Sequence, residues 1–382
     1  MTGQRPGNVK RVPDWKSTET VEMPTVVPPD FTAAPPIARS NAPAPDVIPV
    51  ATNHFPEIWV SFNRWSQSNG FGGLQRFSPA TTPTYSLNTP NGLLVIRVGS
   101  LAAYWDGLEF RLGFAPQLID NRPFLHTLDL QKNILPLVSD PTEFAGTNRV
   151  IVIDPGHGGE DAGTKSVFSN QYEKEFTLDW ARRLERLLAT NGWQVFLTRT
   201  NDREISLTNR VVFAERHNAD FFLSLHFNSS GGSSDPSGLE AYCLTPTGMA
   251  SSVTRGYNDD LRQVFPNNAF DAENLQYAVR LQRTLLEVNG TTGRGVRRAR
   301  YPAVLRGQNR PAVLLEGGYL SNPKEARLIA DPAHRQKLAE AVAKALTAGS
   351  ETGSQKFHSG SPLKNPATPS SELAPGEIKH EQ

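Results

Sequence analysis

The segment Val150-Ile-Val-Ile-Asp-Pro-Gly-His157-Gly-Gly decides the fold that we predict for this chain of 382 residues. Four β-branched residues in succession are typical of a strand buried in a parallel sheet, and the strand ends where polar residues begin. Two later segments also run from apolar residues to a polar one: Leu223-Ser-Leu-His226-Phe-Asn228 and Ala312-Val-Leu-Leu-Glu316. Open α/β sheets bind ligands at the carboxyl ends of their strands, so we expect these polar residues along one edge.

Strands and helices are predicted to alternate over residues 148–347. The predicted strands are 149–154, 194–198, 221–225, 239–244 and 312–316, and the predicted helices are 174–190, 207–218, 274–288 and 332–347. Such alternation predicts an α/β domain in which helices cover both faces of a mostly parallel, twisted sheet.

Residues 55–138 are predicted to form a small α+β domain. Trp59, Phe62 and Trp65 would share one face of a helix that ends at Gly70. Further predicted elements are a strand over 93–98, a half-buried strand over 108–114 and a lead into another helix over 122–130. The arrangement is similar to the small stalk domain related to the first domain of copper amine oxidases, and this resemblance implies no copper.

Both ends of the chain are predicted to be disordered. Residues 1–54 are rich in Pro, Ala, Thr and Asn and would form a Pro-rich linker. Residues 349–382 repeat this pattern with Ser, Pro, Gly and Lys and would form a tail. The start, Met1–Asn8, has no apolar core and does not resemble a signal peptide. No run approaches the ~18 apolar residues of a transmembrane helix.

Charge and cysteine content exclude several classes of function. Lys plus Arg is 39 and Asp plus Glu is 38, which gives a net charge of +1 and no argument for nucleic-acid binding. The single cysteine, Cys243, rules out an intrachain disulfide and any zinc site built from cysteines. Its place in a predicted strand indicates a buried and unreactive thiol.

Four residues are candidates for a metal site and its base: His157, Glu173, His226 and Glu316. Two histidines and one glutamate suffice for a catalytic zinc whose fourth position holds water, and the second glutamate can serve as base to that water. The glycines around His157 also suggest a phosphate loop, but the order Gly-x-Gly-x-x-Gly and a Lys-Ser/Thr pair are both lacking. An ordinary polar cluster at the sheet edge remains an alternative.

The region 148–347 resembles the zinc-dependent N-acetylmuramoyl-L-alanine amidases of the Amidase_3 family. The matching segments are Ile151-Val-Ile-Asp-Pro-Gly-His-Gly-Gly-Glu-Asp-Ala-Gly163, Glu173-Lys174, Leu197-Thr-Arg199-Thr-Asn-Asp202, Ser224-Leu-His-Phe-Asn228 and Leu315-Glu-Gly-Gly-Tyr-Leu-Ser-Asn322. The resemblance implies that His157, Glu173 and His226 bind Zn²⁺ and that Glu316 is the catalytic residue. Gly317 and Gly318 depart from the bulkier pair that the family often has there.

The resemblance also implies a reaction, which is hydrolysis of the amide between the lactyl group of N-acetylmuramic acid and L-alanine of the stem peptide. Zinc-bound water would be the nucleophile and Glu316 the general base. The substrate would be peptidoglycan, and the activity would be cell-wall degradation, as in an autolysin. The compartment is therefore expected to be the cell envelope, either periplasmic or secreted.

Expected substrate contacts are Asn228, beside His226, and Arg294, which opens the basic run Gly293–Arg300. We place that run in a loop between a helix and a strand. A solvated basic loop or a nucleic-acid patch is the alternative there. Arg199 and Asp202 are expected to form a structural pair.

Partners are less defined by the sequence. Residues 55–138 could bind an activator or anchor the protein to the wall. The segment Ser229–Glu273 shows no strong helical stripe, so we predict that no helix plugs the site. Two alternatives to the amidase remain, namely a zinc peptidase that cuts within the stem peptide and a non-catalytic wall-binding protein.

Overall fold

The computed structural model describes residues 58–77, 82–141, 149–231, 236–290 and 293–347. All of these residues belong to a unit that spans Phe55–Gln382. The ends predicted to be disordered, 1–54 and 349–382, lie outside the described residues, so their disorder stays a prediction. The division of the rest into domains 55–138 and 148–347 also stays a prediction.

The N-terminal part of this unit is mostly antiparallel sheet. Its elements are β1 (Trp59–Ser61), α1 (Phe62–Ser68), β2 (Gln75–Arg76), β3 (Thr84–Thr89), β4 (Gly92–Arg97), β5 (Ala102–Trp105), β6 (Leu108–Arg111), β7 (Gln117–Ile119), β8 (Arg122–His126), α2 (Thr127–Asp129), a π-helical turn (Leu130–Ile134) and α3 (Leu135–Val138). Strands β1, β8 and β7 form a small sheet, whereas β2 to β6 pair in sequence order.

One prediction for this part is wrong at its boundary, namely the start of the first helix. Trp59 lies in β1, where it pairs with His126 of β8, and the helix begins only at Phe62. The Trp59 ring meets the His126 ring edge-on at 5.4 Å, so cross-strand packing determines the conformation of this residue. The strands predicted over 93–98 and 108–114 are confirmed by β4 and β6.

The C-terminal part alternates strands and helices as predicted. Its elements are β9 (Arg149–Pro155), α4 (Glu173–Ala189), β10 (Trp193–Leu197), α5 (Leu207–Arg216), β11 (Phe221–Asn228), β12 (Leu239–Leu244), a 3₁₀ turn (Pro266–Phe270), α6 (Asp271–Asn289), β13 (Gly293–Ala299), α7 (Ala303–Arg306), β14 (Ala312–Tyr319), α8 (Pro323–Ala330) and α9 (Pro332–Thr347). None of the described helices is long and apolar enough to cross a membrane.

One large sheet connects both parts in the order β10-β9-β11-β14-β12-β13-β6-β5-β4-β3-β2. Strands β10, β9, β11 and β14 are parallel, β12 is antiparallel to β14, and β13 is parallel to β12. The prediction of a mostly parallel C-terminal sheet is confirmed, with β12 as the reversed strand.

Helices cover both faces of this sheet, as predicted. On one face, Ile151 and Ile153 of β9 pack in the core that contains Leu184 of α4. On the other face, Val152 packs in the core that contains Ala214 of α5 and Leu305 of α7. Consecutive residues of β9 therefore face different cores. Because both faces of the strand are buried, its residues do not alternate between apolar and polar.

The basic run Gly293–Arg300 forms strand β13, so the predicted loop is wrong. Arg298 is buried and donates to the carbonyl oxygens of Leu244 and Lys132 and to the Asn133 side chain. Arg300 is also buried and pairs with Asp259 at 2.7 Å. The Nη atoms of both guanidinium groups donate to carbonyl oxygens, an amide oxygen or a carboxylate, although each Nε has no partner among the described residues. Arginines that resemble a solvated loop can therefore lie in a strand or directly after it.

Strand β13 is also where the two parts of the sheet meet. Val296 pairs with Phe110 of β6. A Cβ atom at Gly295 would lie 2.2 Å from the Glu109 carbonyl oxygen, so this close approach of two backbones requires glycine.

Candidate metal centre

Three side chains converge at the carboxyl ends of the parallel strands. His157 follows β9, Glu173 begins α4 and His226 lies near the end of β11. Glu173 Oε1 lies 3.1 Å from His157 Nε2 and 2.9 Å from His226 Nδ1. The candidate ligand atoms all lie within 4.8 Å of one another, and no other group of this kind occurs in the described part of the chain.

The loop after β9 is shaped so that the two imidazole rings can meet. His157 has a φ of +62°, which is uncommon for a residue with a side chain. A Cβ atom at Gly156 would lie 2.2 Å from Cε1 of His226, so only glycine allows the His226 ring to lie against this turn.

A buried ion pair between Asp154 and Arg210 stabilises the same loop. Asp154 accepts hydrogen bonds from Arg210 at 2.6 Å, Thr198 at 2.6 Å and Ser224 at 2.9 Å. Arg210 also donates to the carbonyl oxygen of His157 at 2.8 Å. Burial by itself would raise the pKa of Asp154, but Arg210 and these hydrogen bonds outweigh burial and hold that pKa below its ordinary value.

The predicted Arg199–Asp202 pair is wrong in its partners. Arg199 is buried and donates to the carbonyl oxygens of Pro155, Gly156 and Lys174, which links the β9 loop to the start of α4. Asp202 accepts instead from Lys174 at 2.7 Å and from the Gly159 backbone at 2.8 Å. Both residues are therefore structural, as expected, but through separate contacts.

Charge at the centre favours an ionised Glu173. Its carboxylate also accepts from the Thr164 and Phe227 backbones. Burial would raise the pKa of Glu173, but the hydrogen bonds and charges of His157 and His226 prevail and lower it far below its ordinary range. Burial of His157 would lower its pKa, but Glu173 and then Asp161 raise the pKa to about 9.

Asp161 is a contact of the centre that the sequence reasoning missed. Its Oδ1 lies 2.8 Å from Nδ1 of His157, the ring nitrogen opposite the one that faces Glu173. Such a carboxylate fixes the tautomer and orientation of a metal-binding histidine. The spacing of four residues between His157 and Asp161 could have suggested it.

Glu316 lies beside the three converging side chains on the neighbouring strand. It is the register partner of His226 across β11 and β14 and is 5% exposed. Its Oε2 atom has no hydrogen-bond partner among the described residues. Burial, followed by the charge of Glu173, raises the pKa of Glu316 well above its ordinary value, while Arg255 opposes the shift.

The two predicted substrate contacts, Asn228 and Arg294, both reach Glu240, a residue that the sequence reasoning did not single out. Asn228 Nδ2 donates to Glu240 at 2.7 Å, and Arg294 Nε donates to it at 2.8 Å. The Arg294 guanidinium also lies 5.6 Å from the centroid of the Tyr319 ring. Glu240 is the register partner of Glu316 across β12 and β14, and that pairing is not visible in the sequence.

The connection after β12 carries no α-helix between Leu244 and Pro266, a stretch that the structure describes in full. The side chains of His157 and His226 remain 22% and 20% exposed. The prediction that no helix plugs the site was made for Ser229–Glu273, which includes residues 232–235 outside the described part of the chain, so it stays a prediction.

The class of protein follows from the fold and from this centre: an α/β protein with two imidazoles and one carboxylate grouped at the strand ends. A family model described as N-acetylmuramoyl-L-alanine amidase, Amidase_3, matches residues 151–348. The chain belongs to this family.

The chain is also similar to individual proteins. The probable cell wall amidase LytH of Staphylococcus aureus is 35% identical over 215 residues, which cover 56% of this chain and 62% of LytH. The chain thus spans less than two thirds of that relative. The solved catalytic domain of CwlV from Bacillus (Paenibacillus) polymyxa var. colistinus is 33% identical, with a TM-score of 0.43. The match covers 53% of this chain and 97% of the CwlV chain. An N-acetylmuramoyl-L-alanine amidase structure from Clostridium difficile 630 is 29% identical, with a TM-score of 0.44, and the match covers 53% of this chain and 97% of that one.

Proposed function

We propose that this chain is a zinc-dependent N-acetylmuramoyl-L-alanine amidase that degrades peptidoglycan in the cell envelope. The observation that carries the proposal is the convergence of His157, Glu173 and His226 beside a buried Glu316, one oxygen of which has no hydrogen-bond partner in the described part of the chain. Membership of the amidase family adds the bond, which is the amide between the lactyl group of muramic acid and L-alanine.

His157, Glu173 and His226 would hold Zn²⁺. Imidazole nitrogens and a carboxylate oxygen are ligands that zinc prefers, and three protein ligands leave a position open. The buried Glu173 carboxylate and the bond from Asp161 to His157 also suit a site that holds a cation. Bound zinc would lower the pKa of a water molecule and polarise the scissile carbonyl group.

Glu316 would act as the general base and then as the general acid. It would accept the proton of the attacking water and deliver it to the nitrogen of the departing L-alanine. Two observations support this role. The Oε2 atom of Glu316 is buried and has no partner among the residues that the structure describes, and Glu316 is the register partner of His226 on the adjacent strand.

Arg294 and Asn228 are our candidates for substrate contacts. The Arg294 side chain is 38% exposed and is fixed by Glu240, which suits a cation that meets carboxylates of the stem peptide. Asn228 uses its amide to join Glu240 and Arg255, so it would act mainly by holding these residues in place. Charge reversal at Arg294 should raise the Michaelis constant, and unchanged kinetics would remove Arg294 from the substrate site.

Residues 55–138 would provide a contact with the wall or with an activating protein. The small sheet of β1, β8 and β7 supports this, because the apolar side chains of Ile58, Leu118 and Ile119 are 42%, 39% and 37% exposed there. The envelope location is inferred from the substrate.

The test is mass spectrometry of fragments released from purified peptidoglycan by the protein, with and without a zinc chelator. We expect free stem peptides that begin with L-alanine, lost on chelation and restored by zinc. Cleavage within the stem peptide would indicate the peptidase alternative. No release by folded, zinc-loaded protein would contradict an amidase that acts without a partner.

A further inference from the structure

Arg255 is a second arginine near the centre, contributed by the connection between β12 and the 3₁₀ turn. Its backbone has a φ of +48°, a conformation that costs energy for any residue except glycine. The residue is exposed as a whole, yet Nη2 donates to the Oδ1 atom of the buried Asn228 at 2.5 Å. The guanidinium also lies 5.1 Å from the centroid of the Tyr301 ring. The Asn228 amide and the Tyr301 ring therefore hold this side chain near the end of β11.

Four side chains form a continuous chain of hydrogen bonds from Arg255 to Arg294. Arg255 donates to Asn228, Asn228 donates to Glu240, and Arg294 donates to Glu240. Two guanidinium groups are thus held at fixed positions around the strand end that carries Glu316.

Arg255 and Arg294 differ in the charge of their hydrogen-bond partners. Arg294 is paired with the Glu240 carboxylate at 2.8 Å. Arg255 bonds to a neutral amide, and we find no carboxylate within salt-bridge distance of it in the described part of the chain. Arg255 still interacts electrostatically with Glu316, so its charge acts at the candidate site. Of these two arginines, Arg255 is therefore the one without a carboxylate partner among the described residues, and it can bind an anionic ligand in addition to Arg294.

The connection that carries Arg255 is fixed by buried contacts. Asp259 accepts from the Ser251 backbone at 2.7 Å and from Arg300 at 2.7 Å. Arg300 also donates to two carbonyl oxygens of the same connection, those of Pro246 and Met249. Because the loop is already ordered by these contacts, a ligand that meets Arg255 would not have to order it.

We propose that Arg255 determines specificity by binding a carboxylate of the stem peptide. The proposal rests on the amidase function. A guanidinium presents five N–H donors in a planar fork that matches a carboxylate, and Asn228 uses only part of that fork. The peptide side of the scissile amide offers two sources of this chemistry. One is the α-carboxylate of the γ-linked glutamate after L-alanine, which some walls carry as an amide, and the other is a carboxylate of the third residue.

Four soluble substrates test the proposal and separate the two sources. Each is N-acetylmuramoyl-L-alanyl-γ-D-glutamyl-L-lysine, with the glutamate α-carboxyl group as acid or amide and the lysine carboxyl group as acid or amide. We expect wild-type kcat/KM to fall ~10–100-fold when the bound carboxylate becomes an amide, since a charge-assisted hydrogen bond is lost. Arg255→Gln should abolish that preference mainly through KM, and Arg255→Lys should keep part of it.

Arg262→Gln is the matched control, because Arg262 lies in the same connection with a side chain that is 91% exposed and paired with Asp260. It should keep the wild-type preference. No hydrolysis of any substrate by zinc-loaded wild type would contradict the amidase function itself. Hydrolysis without an acid preference would contradict only the role of Arg255, and this comparison needs no variant. A preference that Arg255→Gln retains, or an equal fall of kcat on all four substrates, would also overturn it.

Discussion

Two buried carboxylates at strand ends of the same sheet differ in almost every contact. Asp154, at the end of β9, pairs with Arg210 and accepts further bonds from Thr198 and Ser224. Glu316, in β14, keeps one oxygen without a partner among the described residues. The pKa of Asp154 is lowered and that of Glu316 is raised, although both are buried.

This difference distinguishes a carboxylate that stabilises the fold from one that lies at the candidate site. A buried carboxylate whose hydrogen bonds are satisfied stabilises the fold, because burial is compensated by its partners. A buried carboxylate with a free oxygen costs stability, and such a group marks a site where another molecule can supply the missing contact. By this criterion Asp154 supports the loop that carries His157, and Glu316 keeps an oxygen that the proposed mechanism can use.

Substitution of Glu316 should give the largest effect on activity and little loss of stability. For Glu316→Gln we expect a ~10²–10⁴-fold fall in kcat, the usual contribution of general acid–base catalysis, with zinc still bound. Single-turnover hydrolysis and metal content would be measured together. Glu287→Gln, at an exposed pair with Lys344, is the control. A zinc-loaded Glu316→Gln protein with full activity would remove Glu316 from the proposed mechanism.

Substitution of Asp154 should have the opposite profile. Asp154→Asn leaves Arg210 buried without its carboxylate, so we expect the free energy of unfolding to fall by ~3–5 kcal/mol. Asp260→Asn, which breaks the exposed pair with Arg262, should leave the free energy of unfolding nearly unchanged. Denaturant unfolding would measure both. Equal stability of the two variants would show that the buried pair is not part of the framework.

Substitution of Asp161 tests whether its hydrogen bond to Nδ1 of His157 contributes to zinc binding. Asp161→Asn should weaken zinc binding ~10–100-fold, because the carboxylate no longer orients the His157 ring. Competition with a chelator of known affinity would measure the change. Glu160→Gln, at the exposed neighbouring position, should bind zinc like the wild type.

The pH dependence of stability should differ in sign between the two carboxylates. The pKa of Asp154 is below 3.8 in the folded state, so its stabilisation is complete above 3.8 and is lost as pH falls through the folded value. The pKa of Glu316 is above 4.5, so its destabilisation is present at high pH and disappears as pH falls through the folded value toward 4.5.

Unfolding of the wild type and the two variants across pH, with a chelator present, would show both trends. Glu316→Gln should be more stable than the wild type at neutral pH, with a gap that closes on acidification. The deficit of Asp154→Asn should stay constant at neutral pH and shrink only in strong acid. Parallel pH profiles of the two gaps would contradict the comparison.

The sequence predicted the elements whose apolar runs end in polar residues, and it brought His157, Glu173, His226 and Glu316 to one edge. These predictions succeed because the order of strands and helices is a local property of the pattern. Strand β13 was missed because the buried Arg298 finds its acceptors in groups distant in sequence, the Lys132 carbonyl oxygen and the Asn133 side chain.

Contacts that depend on strand register or on loop conformation could not be predicted from the sequence either. Glu240 comes beside Glu316 only through the pairing of β12 with β14. Arg255, which has a left-handed backbone conformation, meets Asn228 across 27 residues of sequence. Neither feature leaves a signal in the order of residues.

The seam between β6 and β13 bears on any attempt to shorten this protein. Strand β13 carries Arg294 and has β12 on one side and β6 on the other. A minimal enzyme that began at Arg149 would leave β13 as a bare edge, with backbone groups free to pair with a second molecule. Loss of solubility in such a truncated protein would therefore say little about the chemistry of its metal centre.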